Sequence, residues 1–407
     1  MDYEMRSITP QEWPRFRALM GEVFAEDWSN EADAARSLDT AELDRSVAVF
    51  DGAEMVGTAG VYSLRTRVPG GVLPTAGVTW VTVRSTHRRR GILTAMMRRM
   101  LEGARERGEP LASLWAAESV IYGRYGFGAA GLMGNFTIDP RHAKLITPAP
   151  RGGCRLLPPE VAAALLPPIY DRATADRPGT LERSPTWWGR RFHDWGGQDG
   201  GYSRKRHVIY ERDGRGEAYA IFRVKGDWGE FPDHRVRVLE SCATDADAQA
   251  GIWRYLFGID LVTQLEAYFR PLDDPLFFML ADPRRLRIAS GDEIWLRPVD
   301  VAAALSGRRY LGAGTLRLAV HDAFMPDNDG VYELEVADGA GACRRLPAGS
   351  PADVELAGDA LGALYLGDNS PLWLRDAGRL VENRPGAALD AHRLLHWPVR
   401  PQCPEVY

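Results

Sequence analysis

The chain has 407 residues, enough for about two to four domains at roughly 100–200 residues each. Hydrophobic residues make up 45% and charged residues 26%, with fourteen Tyr, thirteen Phe and twelve Trp to fill sizeable cores. The net charge of −5 supplies no basic footprint for a nucleic acid.

Four cysteines stand at 154, 242, 343 and 403, with no Cys-x-x-Cys pair, so no disulfide framework is expected. The start of the chain has neither a basic segment nor an apolar core and does not read as a signal peptide. No apolar run reaches the roughly 18 residues that a membrane span requires. A cytoplasmic location follows as the expectation.

In chain order, residues 10–24 carry a helical pattern. Strand-like runs follow at 46–50, 55–64 and 77–83. Residues 92–107 form the strongest helix: apolar side chains at 92, 93, 96, 97, 100, 101 and 104 make one stripe at helical spacing. The run 111–117 leads to Tyr122 and Phe127. Alternating strands and helices predict an α/β domain. Residues 146–153 hold two prolines and two glycines and read as a linker. Beyond it, strands at 207–212, 217–224 and 235–241 precede a helix at 246–257, with a capping residue available in the segment that starts at Thr244. Strand 235–241 with helix 246–257 repeats the order of strand 77–83 with helix 92–107, without its arginine-glycine loop. A third block opens near Ile294, with a run at 295–299, a helix at 301–310 and strands at 315–320 and 331–336. The run 361–366 ends at a Gly-Asp-Asn turn. The last residues, 397–407, contain three prolines and are not a regular helix.

The chemistry concentrates in Val81-Thr-Val-Arg-Ser-Thr-His-Arg-Arg-Arg-Gly-Ile-Leu-Thr94. A β-branched strand enters an arginine-rich turn, then Gly91, then a helix. A helix start offers free N–H groups and the positive end of the dipole. Gly91 lets the backbone approach an anion closely. Arg88, Arg89 and Arg90 add charge at the same point, which makes a pyrophosphate cradle. The competing reading is a solvated basic turn that caps a core helix. His392 and His396 stand four apart with no third ligand near in sequence, and no metal is expected.

Downstream lies Leu114-Trp-Ala-Ala-Glu-Ser-Val-Ile-Tyr122-Gly-Arg-Tyr-Gly-Phe127. Arg-x-x-Gly-x-Leu after a Val-x-Val strand, then Tyr-x-x-x-Gly-Phe, resembles the GCN5-related N-acetyltransferase (GNAT) superfamily. The two segments together resemble one branch of it, the enhanced-intracellular-survival (Eis) aminoglycoside acetyltransferases, over the whole chain. Leu93 departs from the Gly or Ala usual at the end of the loop motif.

The resemblance implies a mixed α/β architecture: a catalytic GNAT domain at 1–148, a second, degenerate GNAT-like domain at 149–289, and a sterol-carrier-protein-like domain at 290–407 whose C-terminal tail reaches the active site. It implies acetyl-CoA as cosubstrate. Val81, Thr82 and Val83 would lie along the pantetheine arm. Arg89, Arg90, Gly91, Ile92, Leu93 and Thr94 would wrap the pyrophosphate, with Ala117 and Glu118 as a further contact. Tyr122 would be the general acid, since a phenol with an ordinary pKa near 10 is protonated at neutral pH. Tyr125 is its nearest competitor. The main-chain carboxylate of Tyr407 would be the general base, and burial would raise its pKa. The implied acceptor is a polycationic amine such as an aminoglycoside, modified at one or several nitrogens, with Glu26, Asp27, Trp28 and Glu405 as candidate contacts. The implied assembly is a homohexamer built as two trimers. Two other readings remain open: a protein-lysine or polyamine acetyltransferase, and a lipid or sterol carrier with a vestigial transferase site.

Overall fold

The structure is a computed structural model and describes residues 3–26, 30–195 and 200–407. Asp27 and Trp28 lie outside the described residues. The chain forms two compact units, one of Met1–Gly131, Arg177–Glu182 and Asp292–Tyr407, the other of Leu132–Asp176 and Arg183–Gly291.

The first unit contains two sheets. The larger has seven strands in the order Glu4–Arg6, Val47–Asp51, Glu54–Val68, Gly71–Val83, Leu111–Trp115, Ile294–Pro298, Gly128–Ala129. All its pairs are antiparallel except Gly71–Val83 with Leu111–Trp115, which run parallel. A parallel pair needs a crossover, and the helix Ile92–Glu106 supplies it. That helix buries Ile92, Met96, Met97, Met100, Leu101 and Ala104, the face that the apolar spacing predicts, while Leu93 is half-buried.

The smaller sheet of this unit has five strands in the order Ala340–Arg345, Gly330–Ala337, Gly314–His321, Val354–Ala357, Leu380–Glu382. The helices Val301–Ser306, Gly358–Leu364 and Ala387–Leu395 share its core. The helix expected at 301–310 ends early, at Ser306. Gly307 follows, and the buried Arg308 guanidinium donates to the carbonyls of Tyr365 (2.5 Å) and Leu395 (2.8 Å), which turns the backbone out of the helix.

The second unit has one seven-stranded sheet in the order Arg287–Asp292, Leu132–Ile138, Val262–Pro271, His234–Ala243, Arg215–Lys225, Arg206–Arg212, Gly153–Leu157. Its parallel pair, His234–Ala243 with Val262–Pro271, is again joined through a helix, Ala246–Phe257.

Sheet membership crosses the sequence blocks at two places. Leu132–Ile138 falls inside 1–148 yet belongs to the second unit's sheet, and Ile294–Pro298 falls inside 290–407 yet completes the first sheet. Apolar pattern identifies a strand but carries no information about which sheet receives it.

Candidate active site

The parallel pair in the first sheet does not stay together. Its register runs Thr75↔Leu111, Ala76↔Ala112 and Gly77↔Ser113 and stops there. The strand Gly71–Val83 continues on its other side, paired to Gly57↔Val83. Trp80 takes a positive φ of 57° at a bulge between Thr58 and Gly60, and its ring packs edge-on against Trp13, Phe16 and Tyr62. A bulge increases local twist, so the strand diverges and leaves a fork beyond Gly77 and Ser113. Among the described residues, 81–83 therefore have no strand beside them on the fork side. An extended amide chain can add there as a further strand, as peptides add to open sheet edges. Thr82 is turned into the sheet, with its Oγ1 2.5 Å from that of Thr58.

At the end of this strand, Gly91 has a φ of 80° and caps the helix Ile92–Glu106 with no side-chain acceptor. The first-turn N–H groups are thus open to an external anion. A Cβ built on Gly91 meets nothing within 4 Å, so the space over the turn is clear. Arg89 also has a positive φ, 64°, at a cost of about 1–2 kcal/mol. Each fully buried Met or Leu of the adjoining helix contributes about 1.5–3 kcal/mol, so the helix core readily holds the loop in this shape. Arg90 donates to Tyr3 Oη (3.2 Å) and to the Thr86 carbonyl (3.0 Å), which braces the loop. Arg88 and Arg89 are exposed and make no hydrogen bond among the described residues. Gly91→Val is expected to raise the acetyl-CoA Michaelis constant at least tenfold while the chain stays folded, because a β-branched residue resists positive φ and its methyls fill the cleared space. Calorimetric titration with acetyl-CoA checks it; unchanged affinity would remove the loop from the cofactor site.

Tyr122 closes the short helix Ser119–Tyr122 and is 7% exposed. Burial, then the nearby Glu118 and Tyr125, push its phenol up to about 12. It therefore keeps its proton at neutral pH, as a donor to a leaving group must. Tyr125 is committed elsewhere: its hydroxyl lies 3.2 Å from Thr94 Oγ1, and its carbonyl accepts from the buried Arg297 guanidinium. Arg297 in turn pairs with the buried Asp322 at 2.5 Å. Removing one member of such a pair costs about 3–5 kcal/mol, so the segment that carries both tyrosines is firmly anchored. Ala117 and Glu118 are exposed just before it.

The C-terminal tail is irregular and held to the first sheet. The Cys403 N–H donates to Glu293 Oε1 (2.8 Å), and Trp115 Nε1 donates to the Glu405 carbonyl (2.6 Å). Tyr407 Oη lies 2.6 Å from Ser113 Oγ. The Tyr407 ring faces Tyr62 edge-on at 6.4 Å, and a Cβ on Gly77 would stand 3.4 Å from its Cε2. The last residue of the chain thus sits where the two parallel strands part. Glu405, expected in contact with solvent or substrate, is 6% exposed within this tail. Glu26 is exposed just beyond the helix Trp13–Phe24.

Glu293 is 1% exposed, and its Oε2 has no hydrogen-bond partner among the described residues. Burial pushes its carboxyl up to about 8; the Cys403 N–H and Arg177 oppose this, while Glu405 and Asp368 add to it. Between the ordinary value of 4.5 and about 8 the folded chain holds a proton that the unfolded chain has lost. Stability therefore falls as pH rises through that window and levels off above it. Glu293→Gln keeps the acceptor for Cys403 and removes the titration. Its unfolding temperature is expected to exceed that of wild type increasingly from pH 5 to 8. Since one pKa unit is worth about 1.4 kcal/mol, the difference at the top of the window amounts to a few kcal/mol. Thermal unfolding across that range checks it; parallel curves would contradict it.

The second unit contains the same fork, already filled. Its parallel register ends at Val238↔Ala267. Arg270 then donates to the Ser241 carbonyl (2.9 Å), while its Nε binds Asp274 (2.8 Å). The helix Ala246–Phe257 is capped by Asp245, whose carboxylate accepts from Ala248 and pairs with Arg212 (2.6 Å); Asp247 also pairs with Arg212. Two carboxylates stand where a phosphate would have to bind. Of the two forks among the described residues, the first unit's has an open strand edge beside a helix start without a side-chain cap.

Residues 4–130 and 179–297 each match an acetyltransferase (GNAT) domain family, and residues 301–404 match the sterol carrier protein domain. N-acetyltransferase Eis of Mycobacterium tuberculosis is 35% identical over 396 residues, covering 93% of each chain. The chain belongs to the Eis family of N-acetyltransferases. An uncharacterized N-acetyltransferase of Streptomyces avermitilis is 41% identical, with 89% of each chain covered. Eis1 from Mycobacterium abscessus has a TM-score of 0.85 at 30% identity, covering 99% of this chain and 100% of that one. The architecture is the Eis one, two GNAT domains followed by a sterol-carrier-like domain, and the activity is acetyl transfer.

The sequence pattern assigns no role to three residues that hold the tail, Ser113, Trp115 and Glu293. Ser113 is a lone polar residue within Leu-Ala-Ser-Leu-Trp, and that was its available signal, because buried polar groups need partners. Glu293 follows Asp292 between two strands and carries no such signal.

Proposed function

We propose that this Eis-family enzyme transfers the acetyl group of acetyl-CoA to primary amines of a polycationic acceptor such as an aminoglycoside, at more than one position. The observation that supports the reading is the seat of the Tyr407 ring at the fork, with its phenol 2.6 Å from Ser113 Oγ at the last paired position of the two parallel strands. The open edge and the Gly91 turn suit a long amide chain that ends in phosphates. When bound, acetyl-CoA supplies an activated acetyl group on sulfur.

The residues of this chain divide the proton work. The Tyr407 carboxylate accepts a proton from the acceptor's ammonium group, which frees the nitrogen lone pair to attack. Tyr122 Oη gives a proton to the departing sulfur. Glu26, Asp27 and Trp28 are assigned to the acceptor's cationic groups and flat faces; Glu405, buried within the tail, is not. The assembly is assigned as a hexamer of two trimers, which sedimentation equilibrium would test.

Turnover on an aminoglycoside, a lysine peptide and spermidine distinguishes the acceptor classes. The aminoglycoside is expected to have the highest kcat/KM. Preference for the peptide would make the enzyme a protein-lysine acetyltransferase, and preference for spermidine a polyamine acetyltransferase.

A further inference from the structure

We infer that Ser113 is a positioning residue for the C-terminal carboxylate, acting through the Tyr407 phenol. This inference rests on the proposed role of that carboxylate as general base. Ser113 is fully buried and occupies the last paired position of the fork, opposite Gly77. Its Oγ lies 2.6 Å from Tyr407 Oη. One end of the terminal tripeptide is fixed by Trp115, which binds the Glu405 carbonyl at 2.6 Å. Val406 between them is half exposed, at 50%. The ring and the main-chain carboxyl of Tyr407 branch from the same Cα. Holding the phenol at Ser113 and the chain at Glu405 therefore sets where the carboxyl lies. Ring packing against Tyr62 alone would leave the ring able to slide along the groove; a hydrogen bond at its tip fixes its depth. Ser113 binds the phenol and has no part in the proton transfers.

A double-mutant cycle tests this, with kcat and the acetyl-CoA KM measured for wild type, Ser113→Ala, Tyr407→Phe and the double variant on one aminoglycoside. Misplacement of a reacting group by 1 Å costs about 10²-fold, so each single variant is expected to lose roughly 10- to 100-fold in kcat. The acetyl-CoA KM should stay within threefold or so, because the cofactor contacts lie elsewhere. The double variant should be no slower than the slower single, since both changes break the same contact. The pH profile should keep its shape at reduced height, as the base is displaced and not removed. Additive losses would overturn the inference, as would a raised acetyl-CoA KM with kcat intact in Ser113→Ala, which marks a direct contact with the donor. Tyr407→Phe removes one oxygen at the chain end and carries the test by itself should Ser113→Ala misfold; wild-type kcat in it would also overturn the inference. A chain extended by two glycines after Tyr407 separates this inference from the reading beneath it. Inactivity of that chain alongside full kcat in both single variants leaves the base in place and rejects Ser113. Full activity of the extended chain rejects the base itself.

Discussion

Tyr122→Phe is expected to lower kcat by about 10²–10⁴-fold, the usual worth of a general acid, with acetyl-CoA affinity nearly unchanged. The ring remains and continues to fill its place against Phe127, 6.3 Å away and edge-on, so the loss isolates the proton. Burial holds that proton in place up to about pH 12, so wild-type turnover should show no basic limb from Tyr122 across the working range. Tyr125→Phe is the control. It loses a hydroxyl bound to Thr94 at the helix start, and its effect should fall on the acetyl-CoA KM. Steady-state kinetics of both variants on one acceptor decides between them. A larger fall in kcat from Tyr125→Phe would mean that the acid is Tyr125.

The second large effect concerns the chain end. Adding two glycines after Tyr407 keeps the ring and the phenol–Ser113 bond but turns the terminal carboxylate into an amide, which accepts no proton at working pH. Turnover is expected to fall by at least about 10²-fold, the lower bound for loss of a general base. Acetyl-CoA binding should survive, because the Gly91 turn and the strand edge at residues 81–83 are untouched. Tyr407→Ala does the reverse: it keeps a carboxylate and removes the anchor. It should retain the pH dependence of the base at a reduced rate. An extended chain with wild-type turnover and an unchanged pH profile would place the base elsewhere, with Glu118 the next residue to examine.

Local pattern carried much of the fold. Of the stripe at 92, 93, 96, 97, 100, 101 and 104, all but the half-buried Leu93 form the buried face of Ile92–Glu106, because helix periodicity is a local property. The irregular tail was legible from its three prolines for the same reason. Gly91 was recognisable as a turn residue before a helix, whereas the left-handed conformation of Arg89 beside it was not, since nothing in an arginine announces positive φ. The fork depends on where a parallel register stops, and the bulge at Trp80 that opens it is a tertiary event. The contacts of Ser113 with Tyr407 and of Glu293 with Cys403 join residues more than a hundred positions apart. Pairings of that range follow from topology, which a periodic pattern does not encode. Glu405 shows the same limit: an acid near a chain end reads as solvated, yet the tail carries it under the surface.

The most direct test of the account is the mass spectrum of an aminoglycoside after incubation with acetyl-CoA and the enzyme, with released thiol counted in the same sample. The account predicts acceptor masses raised by whole acetyl groups, more than one per molecule at completion, with one thiol released for each. Thiol release beside an unmodified acceptor, or no thiol release with any amine supplied, would contradict it.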